Sequence, residues 1–320
     1  MARFYRALLI PLSWLQTPIW LVKRGVYQVG LKRAAEPHQP IICVGNLVAG
    51  GSGKSPLTLY LARLLRSEGR QVVIGCSGYG YPMASGAQIA PEGPLDPMTW
   101  GDEPAMIRSL MPEVPLVVGR RRVLAAELIH QAYPNAVLVM DDGFTHTPLR
   151  KDITMVLDDP NPPNTCCQPA GPYREPRRNR RLADLVIPDR FRIEAEPMRL
   201  LTPEGMEVRP TRYSVLCALG QPDKFVSALQ NSFPVQGEAG PVKKIKDHDP
   251  LDGGNLLESF PADLPIVVTA KDWVKLSRRK DVGSRQILVA THQVRVEPEA
   301  EFKEWLKAKL HEYSAKSADQ

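Results

Sequence analysis

The feature that most constrains this chain is the glycine-rich segment 41–55, IICVGNLVAGGSGKS. Its apolar start predicts a buried β-strand, and the apolar spacing of residues 57–65 predicts a helix directly after the glycines. Glycines placed between a strand and a helix let consecutive backbone N–H groups face one anion, and the helix N-terminus adds partial positive charge. The segment therefore predicts a phosphate-binding loop, in which the lysine reaches the outer phosphates and the last hydroxyl binds Mg²⁺. The predicted nucleotide-binding residues are Gly50, Gly51, Ser52, Gly53, Lys54 and Ser55.

One position departs from the usual pattern of such loops. The pattern G-x-x-x-x-G-K-[ST] calls for glycine at position 48, where this chain has Val48. Loops with the order Gly-Gly-x-Gly-Lys also bind phosphate, so we interpret the segment as a variant. The alternative is a glycine-rich turn that carries a surface lysine. The strand and helix patterns on either side favour the phosphate-binding interpretation.

Composition limits the class of protein and of partner. A chain of 320 residues with 43% hydrophobic and 24% charged residues is long enough for two domains with buried cores. The net charge of +6 predicts an anionic partner, which is a nucleic acid, a phosphorylated substrate or an acidic membrane surface. The 5 cysteines include no C-x-x-C pair, which indicates a reducing compartment and argues against a structural zinc site.

The N-terminal segment is apolar between basic flanks. Leu8–Val22 contains two tryptophans and is interrupted by Pro11 and Pro18. It is shorter than the ~20 apolar residues that span a bilayer, and it lacks the cleavage site of a signal peptide. Aromatic and basic residues together favour a helix that lies on an anionic membrane surface, whereas the alternative is a helix packed on the domain. We assign this predicted membrane-associated helix to residues 1–34.

Carboxylates occupy two turns in the first half of the chain. Asp141 and Asp142 follow the apolar run 136–140, where phosphate-loop enzymes hold Mg²⁺, although an ordinary Asp-Gly turn has the same sequence. Asp102 and Glu103 precede a predicted helix at 105–110. Acids at that position either stabilise the helix N-terminus or supply a catalytic carboxylate, and position alone leaves both open.

Arginines cluster in two places. The first cluster, residues 120–122, follows a predicted strand and is either a solvated face or a phosphate-neutralising group. The second cluster follows the segment 169–176, PAGPYREP, and consists of Arg177, Arg178, Arg180 and Arg181. Few aromatic residues are interleaved with it, so we predict an anion-binding loop rather than a nucleic-acid surface.

Alternating strand and helix patterns predict an α/β fold. We expect a parallel sheet of the P-loop NTPase type, flanked by helices, over residues 35–205. The pattern is irregular from about residue 198 to 212, which indicates a linker, and a new strand–helix order begins at 213. A smaller α/β domain is therefore expected over residues 206–320, with its last strand at 286–290 and a helix at its end.

Short motifs spread along the chain resemble, as an ordered set, those of the tetraacyldisaccharide 4′-kinase family of lipid A biosynthesis. The motifs are Val44-Gly45-Asn46, Gly50-Gly51-Ser52-Gly53-Lys54-Ser55-Pro56, Gly78-Tyr79-Gly80, Gly101-Asp102-Glu103-Pro104, Asp141-Asp142-Gly143-Phe144-x-His146, Pro169-Ala170-Gly171-Pro172-x-Arg174-Glu175-Pro176, Asp247-His248 and Thr269-x-Lys271-Asp272. The resemblance runs from the N-terminal apolar segment to past residue 270. The ordered set is far more specific than any single motif.

The resemblance implies a function and a location. It implies transfer of the γ-phosphoryl group of ATP, with Mg²⁺, to the 4′-hydroxyl of a tetraacylated glucosamine disaccharide 1-phosphate. It implies a peripheral or monotopic protein on the cytoplasmic face of the inner membrane, with an anionic membrane surface as partner and no nucleic acid. The absence of glycine at position 48 is also typical of this family's loop.

The resemblance also assigns roles to single residues. Asp102 matches the general base that takes the proton of the sugar hydroxyl, and His248 matches a histidine of the second domain that pairs with it across the cleft. The metal-site positions are matched by Ser55, Asp141, Asp142 and Glu175. Phosphate-stabilising arginines are matched by Arg122 and Arg174. The departures from the family pattern at Ser77, Thr145, Asp249 and Cys166-Cys167 concern substrate detail and leave the phosphate and metal positions intact.

Two other functions are compatible with a phosphate-binding loop. The first is a membrane-associated GTPase or ATPase switch, whose guanine-binding loop would have the order Asn/Thr-Lys-x-Asp, whereas Lys271 and Asp272 are adjacent here. The second is a non-catalytic nucleotide-binding adaptor, which would not require Asp102, His248 and both aspartates of the metal site. Both alternatives are therefore disfavoured.

Overall fold

The computed structural model describes residues 2–48, 53–78 and 80–318, and within them the chain forms an α/β fold. A larger, mostly parallel sheet and a smaller second sheet each pack against helices, which confirms the predicted pairing of a parallel sheet with a second α/β unit. We call the two parts the first and the second domain. The strands of the larger sheet are β1 (Ile41–Asn46), β2 (Val72–Cys76), β3 (Ala87–Ile89), β4 (Leu116–Gly119), β5 (Val137–Asp141), β6 (Ile153–Leu157) and β7 (Leu185–Ile187).

The position of β1 in the larger sheet determines where a ligand can bind. In the described residues the strand order is β3-β4-β2-β5-β1-β6-β7, and neighbours are parallel apart from β3 against β4. β1 therefore lies between β5 and β6, with Val44 opposite Asp141. Because the carboxyl ends of parallel strands meet at one edge, the segments that follow β1 and β5 begin side by side. This edge brings the phosphate loop next to the aspartates predicted to bind metal.

Helices cover both faces of the larger sheet. The helices of the chain are α1 (Ala2–Gln28), α2 (Lys54–Ser67), α3 (Pro97–Trp100), α4 (Asp102–Leu110), α5 (Arg122–Ala132), α6 (Pro222–Ser232), α7 (Ala270–Leu276) and α8 (Glu299–Ala318). Ile42 and Val44 of β1 share a core cluster with Leu57 and Leu61 of α2, whereas Ile41 packs in the cluster of α5 on the opposite face. Burial of both faces explains why the strands are continuous apolar runs.

The smaller sheet has the order β11-β10-β12-β13-β9 in the described residues. Its strands are β9 (Arg199–Leu201), β10 (Ser214–Ala218), β11 (Val242–Ile245), β12 (Ile266–Thr269) and β13 (Ile287–Thr291). β9 is antiparallel to β13, and the other pairs are parallel. The segment 198–212, which the sequence predicts as a linker, thus contributes an edge strand. Three residues are too few to show a strand period, so the pattern did not reveal it.

A two-stranded ribbon connects the sheets. β8 (Arg192–Ala195) precedes β9 and pairs antiparallel with β14 (Val294–Glu297), which leads into α8. The apolar side of α8 enters the core of the first domain through Phe302, Leu306 and Leu310, and the ring of Phe302 meets that of Phe191 edge-on. β9 pairs with β13 of the smaller sheet, although it precedes the predicted boundary at 205/206. The terminal helix packs into the core of the first domain, and β14 follows the strand that the sequence predicts as the last.

The N-terminal helix α1 docks on the first domain along one face. The Ser13 hydroxyl donates to the carbonyl of Cys167 at 2.7 Å and accepts from the N–H of Ala170 at 3.0 Å. Eleven residues further along the same face, Arg24 forms an ion pair with the buried Glu175 at 2.6 Å. Both contacts reach the segment 166–175, so α1 lies directly against the loop that precedes the arginine cluster.

The opposite face of α1 is apolar and exposed. The helix continues through Pro11 and Pro18, where the sequence predicts interruptions. The contacts of Ser13 and Arg24 with the first domain, on either side of Pro18, offset the backbone hydrogen bonds that the prolines remove. The exposed apolar side chains of the helix are Leu12, Trp14, Leu15, Ile19 and Val22. Among the helices of the described residues, none combines the length and the apolar content needed to cross a bilayer.

Candidate active site

The phosphate loop leads from β1 into α2 as the sequence predicts. Gly53 has φ 78°, in the left-handed region that favours glycine, and α2 begins at the next residue, Lys54. Lys54 and Ser55 therefore stand in the first turn of a helix, where unpaired N–H groups attract anions. Three of the predicted nucleotide-binding residues, Gly50, Gly51 and Ser52, lie outside the described residues.

Ser55 and Asp141 face each other at the sheet edge. The Ser55 hydroxyl donates to Asp141 Oδ2 at 3.0 Å, while Asp141 Oδ1 is buried and lacks a hydrogen-bond partner among the described residues. Burial, followed by the negative charge of Glu103, raises the pKa of Asp141 to about 7. A hydroxyl beside a buried carboxylate with an unpartnered oxygen fits the oxygen ligands that Mg²⁺ requires. Among the described residues, we find no ready group of three or more His, Cys, Asp or Glu side chains for a metal.

Asp142 joins the loop lysine to Arg174. The guanidinium of Arg174 donates to both Asp142 oxygens, at 3.0 and 3.1 Å, and also to the side-chain oxygen of Asn46. Lys54 Nζ lies 4.0 Å from Asp142 Oδ2. Burial opposes ionisation of Asp142, but the charges of Lys54 and Arg174 outweigh it and lower the pKa of this carboxyl. Asn46 is a site residue that the sequence analysis did not assign, although a polar residue at the end of a buried apolar strand is a detectable signal.

The close approach of β1 to the turn after β5 requires a glycine. A Cβ on Gly45 would lie 2.4 Å from Phe144 Cβ and 3.3 Å from the Phe144 nitrogen. Asp142 itself has φ 52°, a conformation that aspartate tolerates better than most residues. The Val44-Gly45-Asn46 and Asp141–Phe144 motifs are therefore parts of one packed unit.

Two residues expected at the site have different surroundings in the structure. Arg122, expected to stabilise phosphate, is buried and donates to the backbone carbonyl of Asp141 at 2.6 Å, so it holds the strand end. Glu175, expected as a metal ligand, is fully buried and pairs with Arg24 and the Asn179 side-chain amide. Its carboxylate forms an ion pair with Arg24 at 2.6 Å, and its role as a metal ligand stays a prediction. A local motif could not reveal that Arg24 pairs with Glu175 or that Arg122 donates to Asp141, because these partners are far apart in the sequence.

The second arginine cluster forms a short 3-10 helix, Arg177–Leu182. Arg177 Nε and Arg180 Nη1 lie 2.8 and 2.6 Å from the same carboxylate oxygen of the buried Asp158. Asp158 also accepts a hydrogen bond from the Tyr173 hydroxyl at 3.0 Å. Two of the four arginines predicted to bind an anion thus bind an anion of the protein itself, and through Asp158 and Tyr173 they brace the loop that carries Arg174.

A second cluster of charged side chains spans the two domains. Asp102, at the start of α4, is almost fully buried, and its Oδ2 lies 3.0 Å from Nδ1 of His248. Asp102 also accepts the N–H of Glu103 at 3.0 Å through Oδ1, so it serves the helix N-terminus as well as the site. The structure therefore brings together the predicted pair Asp102–His248. His248 has φ 63° and a side chain that is 55% exposed, so a strained backbone presents it to the cleft.

Lys271 and Asp247 complete this cluster, and the sequence analysis gave neither a role. Lys271 Nζ lies 3.4 Å from Asp102 Oδ2 and donates to Asp247 Oδ1 at 3.0 Å. Asp247 Oδ2 is 3.7 Å from His248 Nε2. Two sequence motifs could have drawn attention to these residues: Thr-x-Lys-Asp contains Lys271, and Asp-His contains Asp247. Their convergence on Asp102 depends on how the domains pack, because α4 packs on α7.

These features define a class of protein. A parallel sheet with a glycine-rich strand-to-helix segment after β1, carboxylates at the end of β5 and an acid–imidazole contact at the start of α4 is the arrangement of a phosphate-loop enzyme that transfers phosphoryl groups.

Comparison with known proteins identifies the family within this class. A family model described as LpxK, Tetraacyldisaccharide-1-P 4′-kinase, matches residues 5–311. The tetraacyldisaccharide 4′-kinase of Shewanella sp. (strain W3-18-1) is 31% identical over 323 residues, which cover 96% of this chain and 92% of the relative. The enzyme of the same name from Shewanella sediminis is 32% identical over 289 residues, which cover 85% and 83%. The chain belongs to the tetraacyldisaccharide-1-P 4′-kinase family.

A solved structure supports the same assignment. LpxK from Aquifex aeolicus, crystallised in complex with ATP, matches with a TM-score of 0.81 and 25% identity, over 96% of this chain and 99% of that chain. The predicted class of ATP-binding kinase of lipid A biosynthesis is thereby confirmed.

Proposed function

We propose that this chain phosphorylates the 4′-hydroxyl of a tetraacylated glucosamine disaccharide 1-phosphate, with ATP as donor. The observation that carries the proposal is the 3.0 Å contact between Asp102 Oδ2 and His248 Nδ1, because an acid–imidazole pair formed by two domains suits removal of a proton from an acceptor hydroxyl. Family membership supplies the substrate class. A nucleotide switch or adaptor would not need this pair.

The donor side of the site is built for charge neutralisation. We propose that Lys54 and Arg174 contact the transferred phosphate, since both stand around Asp142 at the loop. Ser55 and Asp141 would hold Mg²⁺, with Asp142 adjacent, and the ion would offset charge on the phosphates. Arg122 supports this set from behind through the Asp141 carbonyl. Positioning and electrostatics of this kind account for most of the catalysis in phosphoryl transfer.

On the acceptor side of the site, Asp102 and His248 differ in exposure, and we propose different roles for them. Asp102 is buried and its oxygens already face Glu103 N–H, His248 and Lys271, so direct access of a sugar hydroxyl to it is poor. His248 is the exposed member. We therefore propose that His248 takes the proton of the 4′-hydroxyl while Asp102 orients the imidazole, as a carboxylate does in an acid–base triad.

The test uses labelled ATP, the disaccharide 1-phosphate acceptor and detergent micelles. Lys54→Ala should abolish product formation and weaken ATP binding. His248→Gln should reduce turnover by about 10²- to 10⁴-fold, the usual contribution of general base catalysis, while ATP binding stays near wild type. Asp102→Ala should behave like His248→Gln. Wild-type turnover in the His248 variant would refute the acid–base assignment, and an inactive wild-type enzyme would refute the substrate.

We further propose that α1 holds the enzyme peripherally on the cytoplasmic face of the inner membrane. One face of the helix is engaged by the first domain and the other presents apolar side chains to the outside, which suits an interfacial helix next to a lipid substrate. Leu15→Glu with Ile19→Glu leaves Ser13 and Arg24 in place. This variant should lose binding to vesicles that contain anionic lipid, whereas Met206→Glu, at an exposed apolar residue of the second domain, should not. Equal sedimentation of both variants with vesicles would place the anchor elsewhere.

A further inference from the structure

Lys271 is the cation of the Thr-x-Lys-Asp motif, and its contacts lie inside the acid–base cluster. Its ammonium group is largely buried, with 14% of the side chain exposed, and it bridges Asp102 of the first domain and Asp247 of the second. His248 contacts the same two carboxylates, through Nδ1 and Nε2 respectively. Two cationic or basic groups and two acids therefore form one ring of alternating charge across the domain boundary.

The local fold places Lys271 firmly. Thr269 caps α7 by accepting the N–H of Asp272 at 3.1 Å, so Lys271 lies in the first turn of a capped helix. The Asp272 carboxylate is fully buried and accepts from the N–H of Ala218 at 3.2 Å, which fixes that turn to the neighbouring strand. The side chain of Lys271 is consequently directed from a rigid base, and α7 packs on α4, which carries Asp102.

We propose that Lys271 is a positioning residue for phosphoryl transfer, which holds Asp102 and the Asp247–His248 segment together across the interdomain boundary. This inference rests on the function proposed above. Asp102 and Asp247 would repel each other without a cation between them, and the loop of His248 would lose its tie to α7. The positive φ of His248 needs such support, because a strained residue persists only where its surroundings hold it.

The charge of Lys271 agrees with this role. Burial by itself lowers the pKa of Lys271, but the carboxylates of Asp102 and Asp247 outweigh burial, and the pKa of Lys271 is raised above its ordinary value. The group therefore stays cationic throughout the working pH range. Glu103 adds a further negative charge near Lys271, and burial raises the pKa of the neighbouring Tyr81, whose phenol thus stays neutral.

Lys271 also sets the charge around His248. Both nitrogens approach the same Asp102 oxygen, so Lys271 and His248 are within a few ångströms of each other. The charged groups that face His248 in the described residues are Asp102 on α4, Asp247 on its own loop and Lys271 on α7. Removing the positive charge leaves Asp102 and Asp247 without their shared cation, so the acid limb of the pH–rate profile should move to higher pH.

The experiment measures the single-turnover rate with saturating ATP between pH 5 and pH 9 for wild type, Lys271→Met and Lys271→Arg. We expect Lys271→Met to lose about 10- to 100-fold in rate, as small misplacements of reacting groups do. We expect its acid limb to move upward. Its KM for ATP should stay within about twofold, because the ion pairs of Lys271 in the described part of the chain are with Asp102 and Asp247. Lys271→Arg should keep the wild-type acid limb even where its rate is lower.

Controls separate this role from a structural one and from failure of the proposed function. Lys244→Met removes an exposed cation of the same domain, paired with Asp223, and should leave rate and profile unchanged. Thermal unfolding shows whether each variant is folded, and Lys271→Gln repeats the measurement if the methionine variant unfolds. If Lys271→Met and Lys271→Gln are folded and the acid limb of their pH–rate profiles stays at the wild-type pH, the proposal is overturned. An inactive wild-type enzyme instead refutes the proposed function.

Discussion

Arg24 attaches α1 to the first domain through a fully buried carboxylate. Its Nε and Nη2 donate to the two oxygens of Glu175 at 2.6 and 2.8 Å, and Nη2 also donates to the carbonyl of Phe144 at 3.2 Å. A bidentate pair of this kind is short and strong. Replacing Arg24 with methionine keeps most of the apolar stem and removes the charge. The carboxylate of Glu175, with no exposed surface, would then lose its ion-pair partner.

The structure sets the size of the effect. Removing one partner of a buried ion pair costs about 3–5 kcal/mol, since the remaining charge is left uncompensated. The side-chain amide of Asn179 still donates to Glu175 at 2.7 Å, so we expect about 3 kcal/mol, the lower end of that range. The chain contains a matched exposed pair, Arg150–Glu36 at 2.7 Å, whose side chains are 47% and 65% exposed. Arg150→Met should therefore cost less than about 1 kcal/mol.

The assay is urea denaturation of both variants beside wild type, in the same detergent. The double variant Arg24→Met with Glu175→Gln should be more stable than Arg24→Met, because the buried group is then neutral. A loss in Arg24→Met no larger than in Arg150→Met would refute the reasoning from burial. Recovery in the double variant would identify the uncompensated charge as the cause.

Three further changes test the site and the core. Gly45→Ala should destabilise the protein by about 2 kcal/mol in thermal unfolding and weaken ATP binding, because its Cβ would overlap Phe144; unchanged values would show that β1 can shift freely. Burial raises the pKa of Asp152 to about 6, above its usual ~3.9, so the ionised form is disfavoured in the folded state and stability is lost as pH rises from about 4 to about 6. Asp152→Asn should therefore gain about 1–2 kcal/mol over wild type at pH 8 and little at pH 4, in denaturation at both pH values, and a gain that is equal at both would contradict the sign. Arg174→Lys cannot make both bonds to Asp142, so kcat/KM should fall at least about tenfold at unchanged thermal stability; full activity would exclude a role for the bidentate contact.

Local sequence patterns were sufficient where strands are buried on both faces. The apolar start of segment 41–55 forms β1, the apolar run 136–140 begins one residue before β5, and the strand predicted at 286–290 begins one residue before β13. A parallel sheet covered by helices needs continuous apolar strands, and that requirement is visible in the sequence. The short strands β8, β9 and β14 lack such a run because they lie in the ribbon and at a sheet edge, so their pattern is weak.

The phosphate loop, the aspartates after β5 and each motif of the family are visible in the amino-acid sequence, because each depends on neighbours within a few residues. Which distant groups meet depends on the packing of the folded chain. This packing pairs Glu175 with Arg24, because α1 docks against the segment before it. It also joins His248 and Lys271 to Asp102. These contacts form through the packing of two domains, and no spacing along the chain encodes a distance between them.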